Sequence, residues 1–164
     1  MKTNIKDKVS NFFKWVKGTE LVELTDIDVS EDPVRPELDL DWRLFAERKI
    51  YGLRYEGNIE AIVCVAYTNE VPTTVKELDF MSQVACQDNR CGNIAVAYTV
   101  WSRKRGAGRE VINKLLEYQK TIRTGTKRLV TLSPLTPMAT HFHITNGAKL
   151  ISINSETQNF EYTW

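Results

Sequence analysis

The sequence predicts one α/β domain preceded by an extra amphipathic helix, and three observations carry that prediction. Runs rich in β-branched and aromatic residues alternate with segments whose apolar residues recur every three or four positions. The chain has 164 residues, 42% of them hydrophobic, which suits a single core of ordinary domain size. No internal repeat, low-complexity tract or shift in composition marks a second globular unit.

The elements follow in chain order. Residues 3–17 place Ile5, Val9, Phe12, Phe13 and Val16 at helical spacing, and Gly18 stops the helix. Its apolar face is expected to cover the core and leave Lys6, Lys8, Lys14 and Lys17 solvated. The alternative use of such a helix is docking on a membrane or a partner. The chain thus divides into a helix over 1–18 and a domain over 19–164. Thr19–Val29 reads as a strand, Pro33 and Pro36 break the chain, and Leu38–Arg48 reads as a short helix. Two β-rich runs flank Glu56-Gly57-Asn58, a hairpin turn. Residues 71–91 form an irregular connection with a helical turn near Val75–Leu78. Asn93–Val100 is a strand whose unbroken apolar run predicts burial on both faces. A helix opening near Gly106 follows, its apolar face carried by Val111, Ile112, Leu115, Leu116 and Ile122. Arg128–Pro134 is a buried strand. A short helix lies between Pro137 and Gly147, and "LISIN" and "NFEYTW" end the chain as two strands.

Composition excludes several functions. Net charge is +1, which speaks against a nucleic-acid partner. No apolar run is long enough to span a bilayer and no signal-peptide pattern opens the chain, so a cytoplasmic protein is expected. Cys64, Cys86 and Cys91 form no paired disulfide framework, and neither their spacing nor that of His141 and His143 matches a metal site.

One stretch asks for a ligand. In "WSRKRGAGREVINKLLEYQK" a strand leads through a basic glycine loop into a helix. The first N–H groups of a helix are unpaired and carry the positive end of its dipole. Glycines let that backbone come close to an anion, and arginines add charge, so the design suits a phosphate or pyrophosphate. The loop is neither a Walker A sequence nor a dinucleotide fingerprint. The same residues would also serve as an exposed basic turn, and by themselves they leave both readings open.

Arg103-Lys104-Arg105-Gly106-Ala107-Gly108 resembles the R/Q-x-x-G-x-G/A signature of the Gcn5-related N-acetyltransferase (GNAT) superfamily. "ATHFHITNGA" is similar to that family's later A-x-x-x-Y-x-x-x-G-F helix, with Ala139 and Gly147 in register, His143 at the tyrosine and Ala148 at the phenylalanine. The resemblance implies a GNAT fold: a mixed, mostly antiparallel central sheet, splayed at an acyl-CoA site and flanked by helices. It implies acetyl-CoA, or another acyl-CoA, as cofactor, with Arg103, Lys104, Arg105, Gly106, Ala107 and Gly108 around its pyrophosphate. The backbone of Tyr98, Thr99 and Val100 would hold pantetheine like an added strand. It implies transfer of the acyl group to an amine acceptor by direct attack.

His143 would then handle the proton, since an ordinary histidine titrates near neutrality; its other role is structural. The general base is open among Glu56, Glu60, Glu77, Asp79 and water. "TLSP" with "FHITNGAKLISIN" also resembles the catalytic part of malonyl-CoA decarboxylase, which implies Ser133 and His143 as a catalytic pair. A strand-end serine before proline is otherwise ordinary turn chemistry. The same segments resemble small GNAT-like proteins of tailed bacteriophages. That resemblance implies a rival, non-enzymatic reading, in which the scaffold serves a phage or host protein partner in the virion or the host cytoplasm.

Overall fold

The computed structural model describes residues 4–87 and 91–164. Residues 1–3 and 88–90 lie outside, and with them Thr3 of the predicted first helix and part of the predicted 71–91 connection. Eight strands form one sheet: β1 (Glu20–Leu24), β2 (Lys49–Tyr55), β3 (Asn58–Thr68), β4 (Ile94–Ser102), β5 (Arg128–Thr131), β6 (Ser133–Pro134), β7 (Lys149–Ile153) and β8 (Thr157–Tyr162). The spatial order is β1-β2-β3-β4-β5-β8-β6, with β7 against β8. Every pairing is antiparallel except β4–β5. That one parallel pair requires a crossover connection, and helix α4 (Ala107–Thr121) supplies it.

Both faces of the central strands are buried. On one, Leu53, Val63, Val65, Ala95 and Ala97 meet Val111, Ile112 and Leu115 of α4. On the other, Ile62, Cys64, Ala66, Val96 and Leu132 meet Leu78 of helix α3 (Val75–Gln87) and residues packed from α2 (Leu40–Leu44). β4 supplies both cores by alternation, which explains its unbroken apolar run.

Several elements differ from expectation, each for a physical reason. The predicted turn near Val75–Leu78 is a full helix, because Thr74 Oγ1 accepts from Glu77 N–H while Glu77 Oε2 accepts from Thr73 N–H. This is a capping box shifted by one residue. The predicted Thr19–Val29 strand shortens to β1 and gives way to a 3-10 turn at Val29–Glu31. The predicted helix over Leu38–Arg48 is only α2, since Ala46 and Glu47 adopt positive φ of 56° and 59°. The predicted Arg128–Pro134 strand is two pieces, β5 and β6. The hairpin is as expected: Glu56 and Gly57 take φ of 48° and 81°, a turn with both central residues left-handed.

Helix α1 (Ile5–Gly18) departs most in its packing. Asn4 caps it by accepting from Lys6 N–H, but its apolar stripe does not cover the core. Residues 4–14 are all exposed, Trp15 is buried and Val16 half-buried. Trp15 anchors the helix, donating from Nε1 to Glu60 Oε2 at 2.7 Å, and Val16 packs beside the same core.

Candidate functional site

The parallel β4–β5 pair holds together only as far as Ala97↔Thr131, followed by Leu132 N–H donating to Ala97 O at 3.0 Å. Beyond that point the strands part. β4 carries on beside β3, with Tyr98 an unpaired extra residue where the register slips between Cys64↔Thr99 and Val65↔Ala97. Such a bulge bends its strand and increases local twist. The continuation of β5 turns away and pairs with β8 through Ser133↔Gln158. The resulting cleft, about 640 Å³, is lined by Tyr98–Ser102 on one wall, Leu132–Pro134 on the other, and by Gly108, Phe142 and His143. Of the residues singled out in the sequence, it gathers Tyr98, Thr99, Val100, Gly108, Ser133 and His143.

The basic glycine loop closes one end by joining β4 to α4. Gly106 is the N-cap at φ 85°, with no side chain capping the helix. Ala107 N–H donates to Lys104 O and Glu110 N–H to Gly106 O. Among the described residues the N–H groups of Gly108 and Arg109 have no backbone acceptor, so they are the open donors of the first turn. Gly108 has a packing role as well. A Cβ there would lie 3.3 Å from the Phe142 ring, so glycine lets helix α5 (Pro137–Thr145) close on α4. The three loop cations separate. Arg103 is bound to Glu31 by Nε at 3.0 Å and Nη2 at 2.7 Å. Lys104 Nζ lies 4.8 Å from the centre of the Trp15 ring and 3.7 Å from Glu60. Arg105 is exposed and has no ion pair among the described residues, and so is Arg109, which the sequence reading did not single out. Its position directly after Gly108, in the first helical turn, was the available signal.

His143 is 6% exposed. Its ring lies between Phe142 and Phe160, each centroid 5.0 Å away. Nδ1 is 2.8 Å from Tyr162 Oη. Burial without a charged partner pushes its pKa down to about 4, so at neutral pH the imidazole is uncharged. Burial raises the Tyr162 phenol, which stays protonated. Ser133 Oγ donates to Thr131 Oγ1 at 2.8 Å, and Thr131 Oγ1 accepts from Phe160 N–H. His141 lines a separate surface groove with Leu135, Ile144, Leu150 and Ile153. None of the four candidate bases lines the cleft. Glu56 sits in the hairpin turn, Glu60 holds Trp15, Glu77 caps α3 and Asp79 pairs with Arg48.

The α2–α3 face of the parting strands holds a charged network that the sequence did not reveal. Arg35 donates from Nε to Tyr98 O at 2.9 Å and from Nη2 to Leu132 O at 3.0 Å, so it bridges the two strands just past their last shared bond. Asp32 beside it accepts from Thr99 Oγ1 and from Arg43 Nη1 at 2.8 Å. Asp32, Arg35 and Arg43 are all buried. The cleft is therefore open on the α4–α5 side and stitched shut behind.

The sequence matches no family model and no curated protein. Solved structures do match. A Bacillus subtilis acetyltransferase in complex with CoA superposes with a TM-score of 0.62 at 6% identity, covering 89% of this chain and 99% of that one. A GNAT family acetyltransferase from Elizabethkingia anophelis with acetyl-CoA bound gives 0.53 at 10% identity, covering 88% and 95%. The malonyl-CoA decarboxylase of Cupriavidus metallidurans gives 0.55 at 24% identity, covering 85% of this chain but 37% of that one. This chain thus spans little more than a third of the decarboxylase. The fold is the GNAT fold: a mixed, mostly antiparallel sheet that splays between β4 and β5 and is flanked by helices.

Proposed function

We propose that this chain is an acyl-CoA-dependent N-acyltransferase that passes an acetyl group from acetyl-CoA directly to an amine. The observation that supports it best is the cleft between the parting strands, which runs from the open N–H groups at the start of α4 to Ser133 and His143. The pyrophosphate would sit at the N–H groups of Gly108 and Arg109, with Arg105 and Arg109 supplying charge. Pantetheine would lie along Tyr98, Thr99 and Val100 toward the base of the splay. There the amine nitrogen bonds to the thioester carbon, the C–S bond breaks, and the proton lost by nitrogen goes to sulfur. A neutral imidazole suits that transfer. In the tautomer that donates Nδ1–H to Tyr162 Oη, Nε2 keeps a free lone pair that would relay the proton from nitrogen to sulfur.

A second reading has its own observation. Arg35 and the Asp32–Arg43 pair close the splay from behind, and Ser133 and His143 share the open side. This fits a reaction on the acyl-CoA alone, such as malonyl-CoA decarboxylation: the bond to the carboxylate breaks, its electrons enter the thioester carbonyl as an enolate, and the carbon takes up a proton as CO2 leaves.

Thermal unfolding with acetyl-CoA, malonyl-CoA and free CoA tests both. A ligand at about 100 times its Kd stabilises the fold by about 2.7 kcal/mol. Gly106→Asp is expected to abolish the shift with the fold intact. A Cβ there meets nothing within 4 Å and aspartate tolerates positive φ, while its charge repels phosphate. A shift with acetyl-CoA plus amine acylation supports transfer, and CO2 release from malonyl-CoA without an amine supports the second reading. No shift with any ligand overturns both and favours a scaffold protein with a phage or host partner.

A further inference from the structure

We infer that α1 is an interfacial anchor that docks the protein on an anionic lipid surface, independently of any acyl-CoA activity. Its first ten residues, Ile5 to Lys14, touch the body too little to bury any of them. The apolar side chains are nonetheless large and outward: Ile5 is 77% exposed, Phe12 56% and Phe13 59%, with Val9 between them. At 3.6 residues per turn these four fall on one stripe, whose last turn, at Val16, packs against the core while the turns before it stand free. Lys6 and Lys17 border it on the Phe13 side, Lys8 borders it on the Phe12 side, and Lys14 lies opposite. Asp7 is the one acidic residue of the helix. Lysines on both flanks of an aromatic stripe let the stems lie along acyl chains while the ammonium groups reach phosphate. A helix of this length is marginal in water without packing, so seating the stripe also holds the helix together.

Charge selects the occupant. A helix with four lysines, Lys6, Lys8, Lys14 and Lys17, against one acid complements a negatively charged surface. The protein's own exposed apolar groove, lined by Leu135, Pro137, Ile144, Leu150 and Ile153, has no acidic residue in its lining. It offers the flanking lysines nothing, which disfavours a second copy as the occupant. At the other end of the helix, Trp15 is fixed by Glu60 and covered by Lys104, so the anchor is tied to the body.

The 164-residue chain is tested by flotation with phosphatidylcholine vesicles, with and without phosphatidylglycerol, and by sedimentation velocity without lipid. The expected result is binding at least about tenfold stronger to the anionic vesicles, weakening with added salt. Phe12→Ser together with Phe13→Ser is expected to reduce it by roughly tenfold per ring without changing the circular dichroism or the melting temperature. Three results would overturn the inference: equal or absent binding to both vesicle types, undiminished binding by the double variant, or a stable oligomer that the double variant dissociates. The last would make a second copy the occupant.

Discussion

At the scale of single residues, His143 makes the most specific statement. Its pKa in the fold, about 4, lies below the ordinary 6.5, so between those values the unfolded chain binds the proton and the folded protein does not. Stability therefore rises with pH across that window, is fully present above pH 6.5, and is lost as pH falls toward 4. The contribution is about 3 kcal/mol at most. Urea unfolding between pH 4 and 7 should show this slope in the wild type and lose most of it in His143→Gln; an unchanged slope would assign it elsewhere. In the proposed transfer, His143→Ala should slow the reaction more than it weakens CoA binding, and equal losses would mean a packing role. As positions lining the cleft, His143 and Ser133 were legible in the sequence because short local patterns surround them. Arg35, Asp32 and Arg43 were not. A charged residue in a Pro-broken loop, or on a short helix, reads as surface, and only the contacts of Asp32 with Thr99 and Arg43 and of Arg35 with Leu132 reveal that these three are buried.

At the scale of elements, what was legible was what is decided locally. The hairpin at Glu56-Gly57 and the stop at Gly147 depend on positive φ at the residues themselves. The start of α3 was also local, and its signal was present in Thr73-Thr74 followed by Glu77, although the segment reads as irregular by apolar spacing alone. Removing the capping box should be correspondingly local: Thr74→Ala or Glu77→Ala is expected to cost about 1 kcal/mol each in denaturant unfolding. Together they should cost less than the sum, because the two bonds share one helix start. Full additivity would mean that the two caps act separately. The break between β5 and β6 was not local. Nothing in "RLVTLSP" says that Leu132 still bonds β4 while Ser133 pairs with β8. That choice belongs to the last strand, more than twenty residues later, and it creates the cleft.

At the scale of the whole molecule, the sheet with its two cores stands apart from the helix in front of it, and Trp15 is the joint. We propose residues 19–164 as the folded unit and 1–18 as an appended helix, which predicts that the two ends of α1 respond differently to mutation. Phe12→Ser with Phe13→Ser removes side chains that are more than half exposed, so the thermal midpoint and the acyl-CoA-induced shift should stay within the roughly 0.5 kcal/mol usual for surface changes. Trp15→Ala empties a buried site in the core cluster against which Val16 and Tyr55 pack and removes the indole N–H that donates to Glu60, leaving it Lys104 at 3.7 Å. Its expected cost is about 3–5 kcal/mol. Because Lys104 belongs to the glycine loop and lies over the Trp15 ring, the same variant should also weaken CoA binding. A Trp15→Ala protein with unchanged stability would show that α1 is held by other contacts. One that is destabilised yet binds CoA as tightly as wild type would show that the joint and the loop are energetically separate.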